Sequence, residues 1–304
     1  MSSPRLACAI AGTAAGAAVV AYAVYMLRKK RDDLNDLSQP EPLAVPQSAI
    51  ASNLAEVSQS AIASNLAEVR KRLRTAAVGR SEPRLLAVSK TKPVEDLLEA
   101  YAVGQRDFAE NYVQELIGKV TQMPPDVRWH FIGNLQSNKA KELVRGCGPL
   151  LAAIETVDSA KLADKIDAAV ASLPEVLRRT RAQPLELMIQ VNTSPWEGTK
   201  SGVVAADVPA LADHIRASCS NVKLAGLMTI GAPGEPGCFT ALCGCRDALA
   251  RHLQVQPSTL RLSMGMSGDF EEAVAAGSDS VRVGSSIFGG RNYTSSKPPQ
   301  PNSA

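Results

Sequence analysis

Short apolar runs recur eight times along the chain, and segments with helical spacing separate them. Those segments, such as VEDLLEAYAVG and GDFEEAVAAG, place apolar residues three or four positions apart. Strands that alternate with helices predict parallel βαβ units, and eight units in about 220 residues favour a single closed (β/α)8 TIM barrel over an open doubly wound sheet. The predicted strand runs are 85–89, 107–111, 128–133, 150–158, 185–193, 223–231, 259–265 and 280–289.

The predicted barrel occupies residues 59–293, and the flanking segments differ from it in composition. Residues 32–58 contain a Pro- and Asp-rich linker, and the polar, Pro-rich tail 294–304 is expected to be disordered, with no second domain after the barrel. The string QSAIASNLAEV occurs twice, at 47–57 and at 59–69. A period of 12 residues cannot keep both copies on one apolar helix face. We therefore predict that the second copy begins the first helix of the barrel and that the first copy is a local duplication.

Residues 1–31 form an apolar segment with a basic flank. Residues 6–27 carry no charge, and four basic residues, 28–31, follow at once. About 20 apolar residues span a bilayer, and the basic block favours a cytosolic flank. A membrane anchor in an organelle outer membrane or the ER is the favoured interpretation, with the barrel facing the cytosol. A cleaved targeting segment ending near Ala23 and an extension without function remain open, which would leave the barrel cytoplasmic or mitochondrial.

Composition narrows the possible partners. A net charge of +3 with interspersed acids is too small to suggest a nucleic-acid partner, and we expect none. Six cysteines in a chain rich in core-forming residues indicate reduced thiols rather than a disulfide framework. Cys238, Cys243 and Cys245 share one predicted helix with His252, but no CxxC pair is present, so we expect no metal site there. A GxxxG spacing at Gly12 and Gly16 allows two apolar segments to pair, so the protein is expected to be a monomer or a weak dimer.

Lys90 stands at the carboxyl end of the first predicted strand. A lysine there is poorly solvated, which favours the neutral amine and makes it a nucleophile toward carbonyls. An exposed lysine at a strand end is the ordinary alternative. In a barrel of this kind the strand carboxyl ends build the functional face, and later ends carry Asn111, Asn192 and Met228.

Two late loops have the composition of a phosphate cradle. Ser267 and Gly268 are predicted to open a helix, and Gly284 and Ser285 follow the last strand, where barrels often hold phosphate. A helix cap and a strand-end turn are the alternatives. Arg282 lies on the same last strand, where a salt bridge at the barrel rim would also explain it.

A phosphate cradle opposite a nucleophilic lysine favours pyridoxal 5′-phosphate (PLP) as the cofactor. PLP needs a lysine for its aldehyde, an anion cradle and an Asp or Arg at its pyridine nitrogen. Arg282 suits the last role. Because arginine cannot accept a proton from the ring, the nitrogen would stay unprotonated and the cofactor would be a weak electron sink.

Seven motifs together resemble the pyridoxal phosphate homeostasis protein family, also called the alanine racemase N-terminal-like or proline synthetase co-transcribed family. They occur in order over roughly residues 64–293: LLAVSKTKP, FAENYVQE, WHFIGNLQSNK, TKSG, GLMTI, LSMGMSGD and VRVGSSIFG. The resemblance implies a PLP fold-type III barrel with the cofactor held as a Schiff base on Lys90. The full predicted cofactor-binding set is Lys90, Asn111, Met228, Ser267, Arg282, Gly284 and Ser285.

The resemblance also marks departures and neighbours of the site. Lys92 and Lys200 match family lysines near the cofactor mouth. Ser285 stands where the family usually has Thr, which keeps the hydroxyl, and Pro195-Trp196 alters the loop before TKSG. The anchor-like amino terminus and the duplicated helix have no counterpart in the simple family pattern.

A carrier is favoured over an enzyme. Racemisation needs two bases on opposite faces of the substrate, and Lys90 supplies one. In the related racemases the other is a Tyr from the partner subunit's second domain, and we expect no such domain here. We therefore predict a PLP-binding protein of intracellular PLP homeostasis that stores cofactor and delivers it to apo PLP-dependent enzymes, with no catalytic residue assigned. A PLP-dependent amino-acid racemase or lyase and a membrane-tethered interaction protein with a vestigial site remain open.

Overall fold

The architecture is a closed barrel of eight parallel strands. The computed structural model describes residues 60–180, 183–194, 202–232, 234–235 and 237–290. The strands close in sequence order, and β1 pairs in parallel with β8 through Leu86 opposite Arg282. The predicted (β/α)8 barrel is therefore confirmed. The strands are β1 Arg84–Val88, β2 Asp107–Glu110, β3 Arg128–Phe131, β4 Leu151–Val157, β5 Leu185–Gln190, β6 Val222–Met228, β7 Arg261–Ser263 and β8 Ser280–Val283.

Helices surround the barrel and cover its outer face. Within the described residues they are α1 Ala61–Ala76, α2 Val94–Ala102, α3 Val113–Val120, α4 Ala140–Cys147, α5 Ala160–Ala171, α6 Glu175–Thr180, α7 Val208–Ser218, α8 Gly237–Leu253, α9 Phe270–Ala276 and α10 Ser285–Phe288. Short 3-10 turns at Ser137–Lys139, Gly148–Leu150, Ala205–Asp207 and Pro257–Thr259 join some of them to neighbouring elements.

The second copy of the repeat forms the start of α1, as predicted. Ser60 caps the helix, because its Oγ accepts a hydrogen bond of 3.1 Å from Ala63 N. Leu66 and Leu73 are fully buried on one face of the helix. Beyond the repeated string, Arg70 donates to Val103 O at 2.8 Å, which ties α1 to the end of α2. The helix is thus docked by residues both inside and outside the repeat.

Several strands end earlier than the apolar runs that predicted them. The last run, 280–289, divides into β8 and α10, because the backbone leaves the extended region at Gly284 (φ −118°, ψ −70°). The run at 223–231 likewise ends as a strand at Met228. Apolar composition continues past these strand ends because Ile287 and Phe288 join the main core and Ile230 lines the cavity at the barrel mouth.

Alternation along the strands separates the outer apolar core from a barrel interior that carries both polar and apolar side chains. On β3, Trp129 and Phe131 are fully buried in the main core between barrel and helices. His130 between them points to the other face of the strand, into the barrel. Arg282 on β8 is placed similarly between Val281 and Val283, which belong to the same apolar core. The interior of the barrel therefore carries charged side chains directly beneath the mouth.

No helix in the described part of the chain is long and apolar enough to cross a membrane. The predicted anchor segment, residues 6–27, lies outside the described residues. So do the linker, the first repeat copy and the tail 294–304.

Gly226 provides a test of how closely β6 and β7 approach each other. It pairs with Arg261 across the two strands and has φ +153°. A Cβ atom there would lie 1.9 Å from Arg261 O. We expect Gly226→Ala to lower the free energy of unfolding by on the order of 3 kcal/mol, because the strands must separate. Chemical denaturation measures this.

The matched control is Gly244→Ala, in the interior of α8. No atom lies within 4 Å of a Cβ at that position. The control should stabilise the protein by about 0.5–1 kcal/mol, because alanine has the higher helix propensity. Equal stability of Gly226→Ala and wild type would contradict the close approach.

Candidate functional site

A cavity of about 440 Å³ opens at the carboxyl ends of the strands. All seven residues of the predicted cofactor-binding set line it, together with apolar and lysine side chains from the surrounding loops. The structure thus brings together residues from positions 90 to 285, although their contacts with a ligand remain a prediction. The lining residues are Val88, Lys90, Lys92, Asn111, Ile132, Met228, Ile230, Met266, Ser267, Gly268, Arg282, Gly284, Ser285 and Gly289.

Lys90 is half-buried and lies on a loop that is held in place through the neighbouring Ser89. The Ser89 hydroxyl donates to Glu110 Oε1 at 2.7 Å. Lys119 Nζ donates to Ser89 O at 2.7 Å and to Glu110 Oε1 at 2.6 Å. Burial raises the pKa of Glu110, and the Lys119 charge opposes that rise. The residue next to Lys90 is therefore held by a buried ion pair, which restricts where the Lys90 amine can reach.

Lys92 has a different role from Lys90. Its Nζ donates to Phe288 O at 2.7 Å and to Gly290 O at 2.8 Å. These bonds attach the β1 loop to the segment that ends α10. Lys200, the other lysine matched by resemblance, and Pro195-Trp196 lie outside the described residues.

Asn111 presents an unsatisfied polar atom. Its Oδ1 is buried and has no hydrogen-bond partner among the described residues. A buried acceptor without a donor costs about 1–3 kcal/mol, so a ligand donor at this point would be favourable. Gly133 packs against the same backbone, since a Cβ there would lie 1.9 Å from Asn111 O. Only glycine permits this contact, which fixes Asn111 at the wall of the cavity.

Apolar side chains form the remaining walls. Met228 is fully buried, and Ile132, Ile230 and Met266 are partly buried around the same opening. Flat apolar surfaces beside a few polar groups are typical of sites for aromatic cofactors. Ile132, Ile230 and Met266 follow strands without any chemical signature, and for that reason the sequence did not single them out as lining residues.

The loops after β7 and β8 are joined through Ser267. Its Oγ accepts hydrogen bonds from Gly284 N at 3.2 Å and from Ser286 N at 3.5 Å. Two backbone amides therefore converge on one oxygen position at the cavity edge. The prediction that Ser267 and Gly268 open a helix is wrong, because α9 begins at Phe270. Ser267 instead bridges the two loops.

Arg282 is buried inside the barrel rather than at its rim. Its guanidinium donates to Ser263 Oγ and to Thr229 O, both at 2.7 Å. The Ser263 hydroxyl in turn donates to Glu155 Oε2 at 2.6 Å. Arg282 therefore reaches a carboxylate through a serine, and a rim salt bridge does not explain it.

The same chain of contacts continues to His130, whose Nδ1 lies 2.8 Å from Glu155 Oε1. Burial would lower the pKa of His130, but the Asp107 carboxylate, 3.7 Å from its Nε2, and the hydrogen bond to Glu155 outweigh that effect, so the pKa lies above its usual value. Burial would also raise the pKa of Glu155, yet His130 and then Arg282 leave it below its usual value. Burial lowers the pKa of Arg282, and the Glu155 charge opposes that effect. The Glu155 carboxylate thus links His130 to Arg282 through Ser263, and this chain of contacts fixes the guanidinium.

Other residues from the sequence analysis lie elsewhere. Asn192 Oδ1 accepts a bond from Ser194 N at 3.1 Å, outside the main cavity. Cys238 donates to Thr193 O and Cys243 donates to Ala276 O, so the two thiols bond carbonyl groups in different parts of the chain. The described cysteines Cys147, Cys219, Cys238, Cys243 and Cys245 are all free thiols.

Comparison with known sequences gives consistent matches. The profile of the family described as alanine racemase, N-terminal domain, matches residues 57–292. The chain is 43% identical over 224 residues to the pyridoxal phosphate homeostasis protein of Bos taurus, covering 70% of this chain and 79% of the relative. It is 43% identical over 228 residues to the protein of the same name from Schizosaccharomyces pombe, covering 73% of this chain and 90% of the relative.

Solved structures agree with the sequence matches. PipY of Synechococcus elongatus PCC7942, determined with PLP bound, is 33% identical, with a TM-score of 0.59 over 75% of this chain and 100% of PipY. Alanine racemase of Corynebacterium glutamicum shares the fold at 15% identity and a TM-score of 0.53, covering 75% of this chain and 60% of the racemase. The chain therefore belongs to the alanine racemase N-terminal domain family and, within it, to the pyridoxal phosphate homeostasis proteins.

Proposed function

We propose that the protein binds PLP in the barrel-mouth cavity and acts in intracellular PLP homeostasis, holding the cofactor for delivery to apo PLP-dependent enzymes. One observation carries this function. A half-buried lysine, a buried arginine and the serine-bearing loops after β7 and β8 converge on a single cavity from separate strands. The relatives carry the corresponding name, and PipY is described with PLP bound.

The residues present fit the cofactor at each of its functional groups. When bound, PLP supplies an aldehyde carbon that a lysine amine can attack. Lys90 provides that amine at a fixed strand end. Ser267, Gly284 and Ser285 would hold the phosphate, and Met228 would pack against the ring. The unsatisfied Oδ1 of Asn111 is an acceptor for a polar substituent.

Arg282 favours storage over turnover. Its guanidinium is held on two sides and can donate an N–H to a ring nitrogen, but it cannot accept a proton from one. A ring nitrogen beside it stays unprotonated, which weakens electron withdrawal. Among the described tyrosines, Tyr101 donates to Asp126 on the outer surface and Tyr112 is 54% exposed. Neither lines the cavity, so neither is placed as a base opposite Lys90.

The first prediction concerns the covalent link. After loading with PLP and hydride reduction, the pyridoxyl group should be found by peptide mapping on Lys90. Lys90→Ala should abolish this labelling while the barrel remains folded, because the side chain lost lies at a strand end facing the cavity. Far-UV circular dichroism checks the fold.

Lys92→Ala is the matched control, since Lys92 is a second amine in the same loop. Its Nζ already bonds two carbonyl groups, so labelling of Lys90 should persist in this variant. Label found only on Lys92 or Lys200 in the wild type would overturn the assignment.

The second prediction concerns the phosphate. Combining Ser267→Ala with Ser285→Ala should weaken retention of PLP by about 1–3 kcal/mol per lost charge-assisted contact. Retention of unphosphorylated pyridoxal should change far less. Equilibrium dialysis of both ligands measures the difference.

Ser286→Ala is the control for the loop itself. This serine lies beside Ser285 but does not line the cavity, so its removal should leave PLP retention near the wild-type value. Equal losses of PLP and pyridoxal in the double variant would show that the two loops do not hold the phosphate.

Membrane attachment through residues 6–27 is part of the proposal. In this arrangement residues 1–31 form the anchor and residues 32–58 the linker. The barrel, residues 59–293, then faces the cytosol as a monomer or a weak dimer.

We expect the full-length protein to stay with membranes on carbonate extraction, because 22 uncharged residues can span a bilayer and residues 28–31 resist translocation. A variant lacking residues 1–31 should be extracted. Recovery of the full-length product wholly in the soluble fraction would exclude the anchor. A product that begins near Val24 would indicate cleavage instead.

A further inference from the structure

We propose that Asp164, His214 and Cys219 form a Zn²⁺ site on the outer surface of the barrel. The site joins α5, which carries Asp164, to α7 and the residue that follows its end. None of its residues belongs to the cysteine-rich α8, where the sequence predicts no metal site. It is also separate from the barrel-mouth cavity, since none of its residues lines that cavity.

The three donor atoms already lie close together. Asp164 Oδ1 is 2.6 Å from His214 Nε2 and 3.8 Å from Cys219 Sγ. All three donor atoms fall within 4.8 Å of one another. Tetrahedral Zn²⁺ with bonds of about 2.0–2.3 Å places its ligand atoms about 3.3–3.6 Å apart. The oxygen and the nitrogen must therefore move apart by about 0.7 Å to reach this spacing, while the oxygen and the sulfur are already close to it.

A second pair of contacts fixes the backbone that carries the thiol. Asp167 lies three residues after Asp164 and so on the same side of α5. Its carboxylate accepts from Asn221 N at 2.7 Å and from Asn221 Nδ2 at 3.1 Å. Cys219 N donates to Ile215 O at 3.1 Å, which completes the end of α7. The thiol is thus positioned against α5 before any ion binds, as outer partners position the ligands of metal sites.

The donor set selects the metal. Imidazole nitrogen with a thiolate favours Zn²⁺, whereas Mg²⁺ and Ca²⁺ prefer oxygen ligands alone. Three protein ligands leave a fourth position for water. Asp164 and His214 are not deeply buried, so ions in solution can reach them.

Zinc binds a cysteine as the thiolate. A bound cation favours loss of the thiol proton, so Zn²⁺ binding should release a proton from Cys219.

The molecule contains a matched control for this site. His252 Nε2 lies 2.7 Å from Asp213 Oδ2 on the outer surface. This pair reproduces the histidine–aspartate geometry, but it is not part of a three-donor cluster in the described residues. A variant of His252 therefore tests whether any surface His–Asp pair is enough to bind the ion.

The experiment uses the reduced full-length chain after removal of metal with a chelator. Co²⁺ should bind with one-to-one stoichiometry and produce tetrahedral ligand-field bands and a thiolate charge-transfer band in the difference spectrum. Zn²⁺ should displace it. Calorimetric titration in buffers of different ionisation enthalpy should detect the released proton.

Cys219→Ser should remove the charge-transfer band, and Cys219→Ser and His214→Asn should each weaken Zn²⁺ binding by more than about 100-fold. That loss exceeds the roughly 10–100-fold effect of removing an outer partner. His252→Asn should bind as the wild type does.

Unchanged Zn²⁺ affinity in His214→Asn, or no Co²⁺ charge-transfer band in the folded wild type, would overturn the site. Should Cys219→Ser fail to fold, the wild-type spectrum and His214→Asn decide the question. A loss in His252→Asn equal to that in His214→Asn would also overturn it.

Discussion

The buried positive charge of Arg282 is the constraint around which the barrel interior is organised. A guanidinium removed from water is tolerable only when its charge and donors are matched. Ser263, Thr229 and Glu155 provide that match in sequence along the interior. Glu155, itself fully buried, requires His130 in turn. The barrel interior therefore cannot be filled with aliphatic side chains alone. The polar residues beneath the cavity are there to match the charge and the donors of Arg282.

Lys90 and the loops after β7 and β8 are supported in different ways on opposite sides of the cavity. Lys90, the proposed attachment point, is held from one side, through the Lys119–Glu110 ion pair on β2 and α3. The loops that would meet a phosphate are held from the other side, through the single hydroxyl of Ser267. The first support is buried and charge-based, while the second consists of two longer hydrogen bonds at a partly exposed edge. A rigid attachment point facing a looser rim is consistent with a protein that must both retain a small molecule and give it up.

Much of the architecture was predictable because its signals are local. Eight alternating units follow from apolar periodicity, and the lysine just after the first strand is visible in the printed sequence. The contacts beneath the cavity are not local. Ser263 and Glu155 are separated by more than 100 residues and meet only because the barrel closes. No spacing rule links them, so the sequence could identify Arg282 but not its support.

Local sequence signals gave wrong predictions where the same residue types occur in two kinds of structure. The Ser267-Gly268 pair has the residues of a helix start, yet its hydroxyl bonds amides of another loop, and the helix begins at Phe270. The final apolar run has the composition of one strand but turns at Gly284 into α10. The predicted ligand contacts and the segments outside the described residues remain predictions.

The docking of α1 has a consequence for the duplicated string. Both copies encode the same eleven residues, so they are equal competitors for the same groove if only those residues are counted. The choice between them must come from the residues on the carboxyl side of each copy. After the second copy the chain continues with Arg70 and Leu73, which bond α2 and enter the core; after the first it continues with Ser58 and Gln59. The residues that follow each copy therefore distinguish the two. A repeated sequence leaves the docking of α1 unambiguous when the repeat stops before the residues that anchor the helix.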